Sequence, residues 1–329
     1  MVFGRMVSRL ILLALVAVPA LATTIPIGDV AVAVGNSQVK VFSPTGVLLE
    51  TLNDGSGTPF TTGMVFDGSG NLYVTNFGAG NISKFDANGS LVSSSFMTAS
   101  NIPESILINQ AGNFLVGGPS STPTILQYSS AGGAPTATYS VQGGNGTGGT
   151  DWADLGADQN TLLYDGEGNR ILSYNLATHT QNAPFATGLP GSSVFEFRII
   201  PSGSFSGDVL AADSSEALLL NGSGSIIKTY TLPGNNGADF ALNLDPNGTD
   251  FWTADDAGTV WEVNIATGAI DQQWNSGSTS TFGLVVAGQL TAGGPPPSTG
   301  VTPEPGTLAL LGTGLAAMSA FRYRRRGGV

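Results

Sequence analysis

Cysteine is absent from the 329-residue chain, which excludes disulfides, thiolate metal sites and a cysteine nucleophile. Histidine occurs once, at His179 between two threonines, so His-Cys metal centres and histidine-based triads lack their parts. Charge is sparse too, at 10% of residues. Only 11 residues are basic, and six of these lie at the ends: Arg5, Arg9, Arg322, Arg324, Arg325 and Arg326. The other five, Lys40, Lys84, Arg170, Arg198 and Lys228, stand against an acidic complement of 23. Such a body repels phosphate backbones, so nucleic acid is not an expected partner.

Glycine is plentiful instead, at 47 residues, in a chain that is 41% hydrophobic. Glycine and asparagine supply the turn conformations that join short strands, and the apolar content suffices for a core. The ends read differently from the middle. Residues 1–22 carry Arg5 and Arg9, an apolar stretch LILLALVAV at 10–18 and a small-x-small site at Ala20-Leu21-Ala22. That is the pattern of a secretory signal peptide, with Thr23 as the expected mature start. An uncleaved anchor is the alternative, but the apolar run is short for a bilayer span.

At the other end a linker, 289–301, contains the run GGPPPSTG at 293–300, expected to be extended and mobile. The motif Pro303-Glu304-Pro305 follows, then an apolar stretch over 307–321 and the basic cluster Arg322, Arg324, Arg325, Arg326. About 15 apolar residues give roughly 22 Å of helix, marginal for a hydrocarbon core of about 30 Å. The arginines would hold the extreme terminus on the cytoplasmic side. This three-part tail, 302–329, resembles the PEP-CTERM sorting signal of Gram-negative bacteria, with Thr302 where valine commonly precedes the first proline. The resemblance implies an exosortase as partner, a short transmembrane helix before processing, an inner-membrane tether, then release to the cell surface or exterior. It also implies an association with exopolysaccharide and biofilm. An ordinary tail anchor is the plainer alternative.

Between the tails, short alternating segments recur with turn signals every 8–12 residues, the mark of an all-β array. Apolar strands ending at a turn align at 64–66, 106–108, 155–157, 198–200, 242–244 and 284–286, with ends 42, 49, 43, 44 and 42 residues apart. A period of 40–50 residues with four strands per unit is a propeller blade. The first piece, 29–52, supplies three strands and 280–287 supplies one, so the N-terminal strands should pair with the C-terminal strand and close the ring. The expectation is a six-bladed β-propeller over 28–288, flanked by terminal hydrophobic helices; seven blades require a strand pair hidden in the glycine-rich 140s. The segment FDGSGNLYV at 66–74 resembles the six-bladed NHL, SMP-30/gluconolactonase and TolB propellers.

Few residues carry evident chemistry. In the blade register Glu104 and Glu196 share a position, Asp154 lies one place onward and Asp239 one place earlier. Carboxylates converging at one channel mouth would suit Ca²⁺, which takes six to eight oxygen ligands. The gluconolactonase resemblance implies carboxylate and asparagine ligands there, although the rest of that pattern is not recognisable. The motifs at 67–71, 165–169 and 245–250 read as hairpin turns joining first and second strands, since none has a twelve-residue Ca²⁺ loop. Trp152, Trp252, Trp261, Trp274, Tyr128, Tyr164 and Tyr174 are expected to fill the wedges between blades. The reading is an exported, non-catalytic surface or matrix propeller that binds envelope polysaccharide or protein, with no cofactor. The alternative is a calcium-dependent, lactonase-like hydrolase built on Glu104, Asp154, Glu196 and Asp239. A periplasmic scaffold with an unprocessed tail is a third possibility.

Overall fold

The computed structural model describes residues 24–295 apart from 100, 101, 147 and 215. The signal segment, most of the linker and the sorting tail, with their two expected helices, lie outside the described residues. Among the described residues no helix is long and apolar enough to cross a membrane.

Among the described residues, twenty-five strands form six antiparallel sheets, each wound outward from one inner strand. Blade 1 joins the two ends of the chain: Val30–Gly35, Gln38–Phe42 and Leu48–Asn53 are completed by Gly283–Val286 on the inside. Val30 opposes Val286 and Ala33 opposes Gly283, so the expected pairing of first and last strands is present. Blades 2 to 6 follow at 60–98, 105–140, 153–187, 194–230 and 239–275. The described residues of the glycine-rich 140s beyond Ser140 hold no strand, so the ring has six blades. Among the described residues no strand ladder joins one sheet to the next; neighbouring sheets meet mainly through side chains, with isolated backbone bonds between them.

The core explains the sequence pattern. Six apolar clusters occupy the six gaps between neighbouring blades. In blade 1, Val30 and Val32 pack against blade 6, whereas Ala31 and Ala33 pack against blade 2. Successive strand residues point to opposite faces, and here both faces are covered. Hence VAVAVG is apolar throughout and fully buried. The large aromatics fill these wedges as expected: Trp252, Trp261, Tyr128 and Tyr164 are buried completely. His179 lies exposed in a turn with φ of 56°, its ring 5.3 Å from that of Tyr139.

The inner strands line the channel, each packed beside the next around the whole ring. Their C-terminal ends define a base. Residues 289–294, expected to belong to a mobile linker, instead cross this base. Gln289 and Ala292 are buried, and Gln159 Nε2 donates to the Gly293 carbonyl at 2.8 Å. Gly294 abuts Ile108 of blade 3, while Leu290 reaches Gly248 of blade 6. Only about 10 Å³ of space remains between this strap and Asp154, Leu155 and Arg198 above it. Composition alone reads such a segment as linker, because what holds the strap lies far off in the chain: Ala292 packs into the cluster between blades 4 and 5, and Leu290 against that between blades 5 and 6.

Candidate functional site

The opposite end of the channel, at the N-terminal ends of the inner strands, is open. Phe60, Thr62, Phe77, Glu104, Pro119, Glu167, Phe240 and Phe282 line a cavity of about 270 Å³ there. The phenylalanines form a continuous arc. Phe77 meets Phe60 at 6.2 Å between ring centroids, and Phe60 meets Phe282 edge-on at 5.3 Å. Phe282 meets Phe240 at 5.2 Å, and Phe240 stacks on Phe195 at 4.3 Å. Phe60 remains 38% exposed and the other four are half-buried, so these are surfaces offered to solvent and not core.

Local irregularity in the inner strands aims them. The pairing register shifts between Val194 and Glu196 and between Asp239 and Ala241, which places Phe195 and Phe240 inside bulges. A bulge adds a residue on one strand and re-aims its side chain. A third irregularity, between Thr61 and Met64, contains Gly63. Its amide donates to the Glu104 carbonyl of the next blade at 2.7 Å, and the Thr75 hydroxyl lies 3.0 Å from that same carbonyl. The rim of blades 2 and 3 is therefore stitched by backbone.

Facing the aromatic arc is a group of carboxyls contributed by blade 3 and by the strands and turns of blade 4. Glu104, Asp151 and Asp165 are buried, and Glu167 is half-buried with φ of 54°. Burial holds Glu104 well above the usual carboxylate range, and Asp151, Glu167 and Asp165 push it further by like charge and, for Asp151, a shared hydrogen bond. Burial likewise raises Asp165, with Asp151 adding to it. Glu167 is pushed up to about 7, first by burial and then by Asp151. The turn at 165–169 joins the second and third strands of blade 4 and so faces the mouth, unlike the base turns at 67–71 and 245–250. This corrects the sequence placement. The inner strand of blade 4 is only Ala153–Leu155, and its base turn falls earlier, at 156–160.

The four carboxylates aligned from sequence are not brought to one point. Glu104 belongs to the mouth group just described. Asp239 accepts a hydrogen bond from Thr253 Oγ1 at 2.5 Å within blade 6, and is raised well above its usual range by burial, with Asp255 and Asp213 adding like charge. Glu196 lies deeper, its Oε1 3.0 Å from Arg198 Nη2, with both residues buried. That contact lacks hydrogen-bond alignment, since Glu196 Oε1 and Arg198 Nε have no hydrogen-bond partner. Arg198 thus offsets burial only in part, and Glu196 is pushed up to about 8. Arg198 also stacks over Trp152 at 4.7 Å. Asp154 sits at the base, accepting from the Ile199 and Leu155 amides at 2.8 and 2.9 Å. Among the described residues no three His, Asp or Glu side chains have the arrangement of a metal site.

Sequence reasoning missed the phenylalanine arc and three of the four mouth carboxyls. A signal was present: Thr62, Phe240 and Phe282 stand in the same register column as Glu104 and Glu196, four residues before the strand end. The bulges that turn this column toward the rim are what the column alone does not show.

Residues 301–326 match the PEP-CTERM protein-sorting motif. The motif covers the tail alone and leaves the body unclassified. No curated protein matches the chain. Among solved structures, a protein of unknown function from Bacteroides caccae aligns with a TM-score of 0.61 at 12% identity, over 79% of this chain and 98% of that one. The WD40 β-propeller domain of Doa1 aligns with a TM-score of 0.49 at 14% identity, over 67% of this chain and 70% of that one. At such identities the Bacteroides likeness speaks to the fold only. The sorting motif rests on this match, and the six-bladed body on the sheet topology described above.

Proposed function

We propose that this chain is an exported, non-catalytic binding propeller, sorted by an exosortase through its C-terminal tail, that presents its channel mouth to envelope polysaccharide or protein. The match at 301–326 carries this reading, because the motif implies processing by a membrane enzyme. The geometry of the chain ends supports it. Gly28 donates to the Ala287 carbonyl at 2.9 Å, and Ile25 to the carbonyl of Ala87 in a base turn at 3.0 Å. Both tails therefore depart from the base. A membrane tether at the base directs the phenylalanine-lined mouth away from the bilayer. The strap at 289–294 makes the channel a blind cup, suited to receiving the end of a ligand and not to threading a chain.

The test is the mature protein itself. Intact-mass measurement in cells with and without the sorting enzyme should show a chain starting at Thr23. Its C-terminus should fall near Pro303–Glu304–Pro305 when the enzyme is present, with the tail retained when it is absent. An identical, uncut C-terminus in both strains would refute sorting and favour a plain anchored scaffold.

A further inference from the structure

We propose that the mouth cavity is a site for a small amphipathic cation, a protonated amine borne on an apolar group, bound end-on between the phenylalanine arc and the Glu104–Glu167 wall. This deepens the binding reading and rests on it. Export and sorting are tested independently and stand if it fails.

Three features of the cavity select this chemistry. The walls are mostly apolar ring surface from Phe60, Phe77, Phe240 and Phe282, and the ionisable groups among the lining residues are two carboxyls, with no Lys, Arg or His. Aromatic faces and carboxyls are both attractive to an ammonium group and jointly hostile to an anion. Second, the like-charged group is incompletely satisfied from within. Asp165 is fully buried, yet its Oδ2 accepts no hydrogen bond. Glu104 and Asp165 each lie among neighbouring carboxyls that oppose their ionisation. A cation arriving at the open side supplies a counter-charge to Glu104 and Glu167, the two carboxyls that line the cavity. Third, size limits the occupant. A cavity of about 270 Å³ falls just under the range of about 300–1,000 Å³ usual for drug-sized ligands. It therefore takes an end group, not a chain segment.

The experiment uses the full chain in non-ionic detergent and three fluorinated probes of nearly equal shape: 4-fluorobenzylamine, 4-fluorobenzyl alcohol and 4-fluorobenzoate, followed by ¹⁹F NMR. The amine should titrate saturably, the alcohol at least about tenfold more weakly, and the benzoate not at all. Glu104→Gln with Glu167→Gln should weaken the amine about tenfold and leave the alcohol unchanged, while Phe240→Ala should weaken both. The Gln pair removes like-charge repulsion without changing shape, and an unshifted or higher Tm confirms the fold. Equal binding of amine and alcohol, or amine binding untouched by the Gln pair, overturns the cation class while leaving an apolar binding cup. Failure of all three probes to bind overturns the site.

Discussion

Replacing Gly63 by alanine tests whether the blades are held as close at the mouth as the geometry requires. A Cβ built on Gly63 would lie 2.2 Å from the Glu104 carbonyl oxygen and 3.1 Å from the Ser105 Cα of the next blade. Both are backbone atoms, so no side chain can swing away. Restoring an ordinary contact needs a separation of about 1 Å, which also breaks the 2.7 Å bond from the Gly63 amide to that carbonyl. Overpacking costs about 1–3 kcal/mol and a lost hydrogen bond about 0.5–1.5 kcal/mol. Gly63→Ala should therefore destabilise by about 2–4 kcal/mol. Gly68, five residues on, is the matched control: a Cβ there meets nothing within 4 Å. Gly68→Ala should be neutral or stabilise by up to about 1 kcal/mol, by restricting the unfolded chain. Thermal and guanidinium unfolding of the two variants, followed by circular dichroism, should separate them by at least about 5 °C. Coincident transitions for Gly63→Ala, Gly68→Ala and the parent would refute the close approach of blades 2 and 3.

Stability should fall as pH rises from 5 to 8, because burial pushes Glu196 up to about 8, Glu167 and Glu262 to about 7 and Asp213 to about 6. The folded chain then holds protons that the unfolded chain releases above about pH 4, so folding binds protons and alkali opposes it. A Tm lower by roughly 5–10 °C at pH 8 than at pH 5 is expected, and a flat or rising profile would contradict the buried carboxyls. Asp67→Ala should cost about 1–2 kcal/mol, read from denaturant midpoints, since that side chain accepts from the Ser69 and Asn71 amides, Asn71 Nδ2 and the Tyr73 hydroxyl. An effect under about 0.3 kcal/mol would mean the turn forms without it.

Sequence patterning determined the propeller because its information is local and repeated. Strands such as VAVAVG bury both faces, turns recur at a fixed interval, and a three-strand head matched to a one-strand tail leaves one way to close the ring. The tail motif was legible for a similar reason: a sorting signal is read as linear chemistry. Only the tertiary structure decided where the mouth is and what lines it. Glu104 and Glu196 share a register position, yet the bulge before Glu196 gives the rim to Phe195 and leaves Glu196 buried against Arg198. Asp165 and Glu167 read as an ordinary turn until the short inner strand of blade 4 moves that turn to the mouth. The segment at 289–294 has linker composition but packs as a strap, since what holds it is the Gln159 side chain and the apolar clusters that receive Leu290 and Ala292. Bulge, offset and strap are relations between elements far apart in the chain, and residue types in order do not encode them locally.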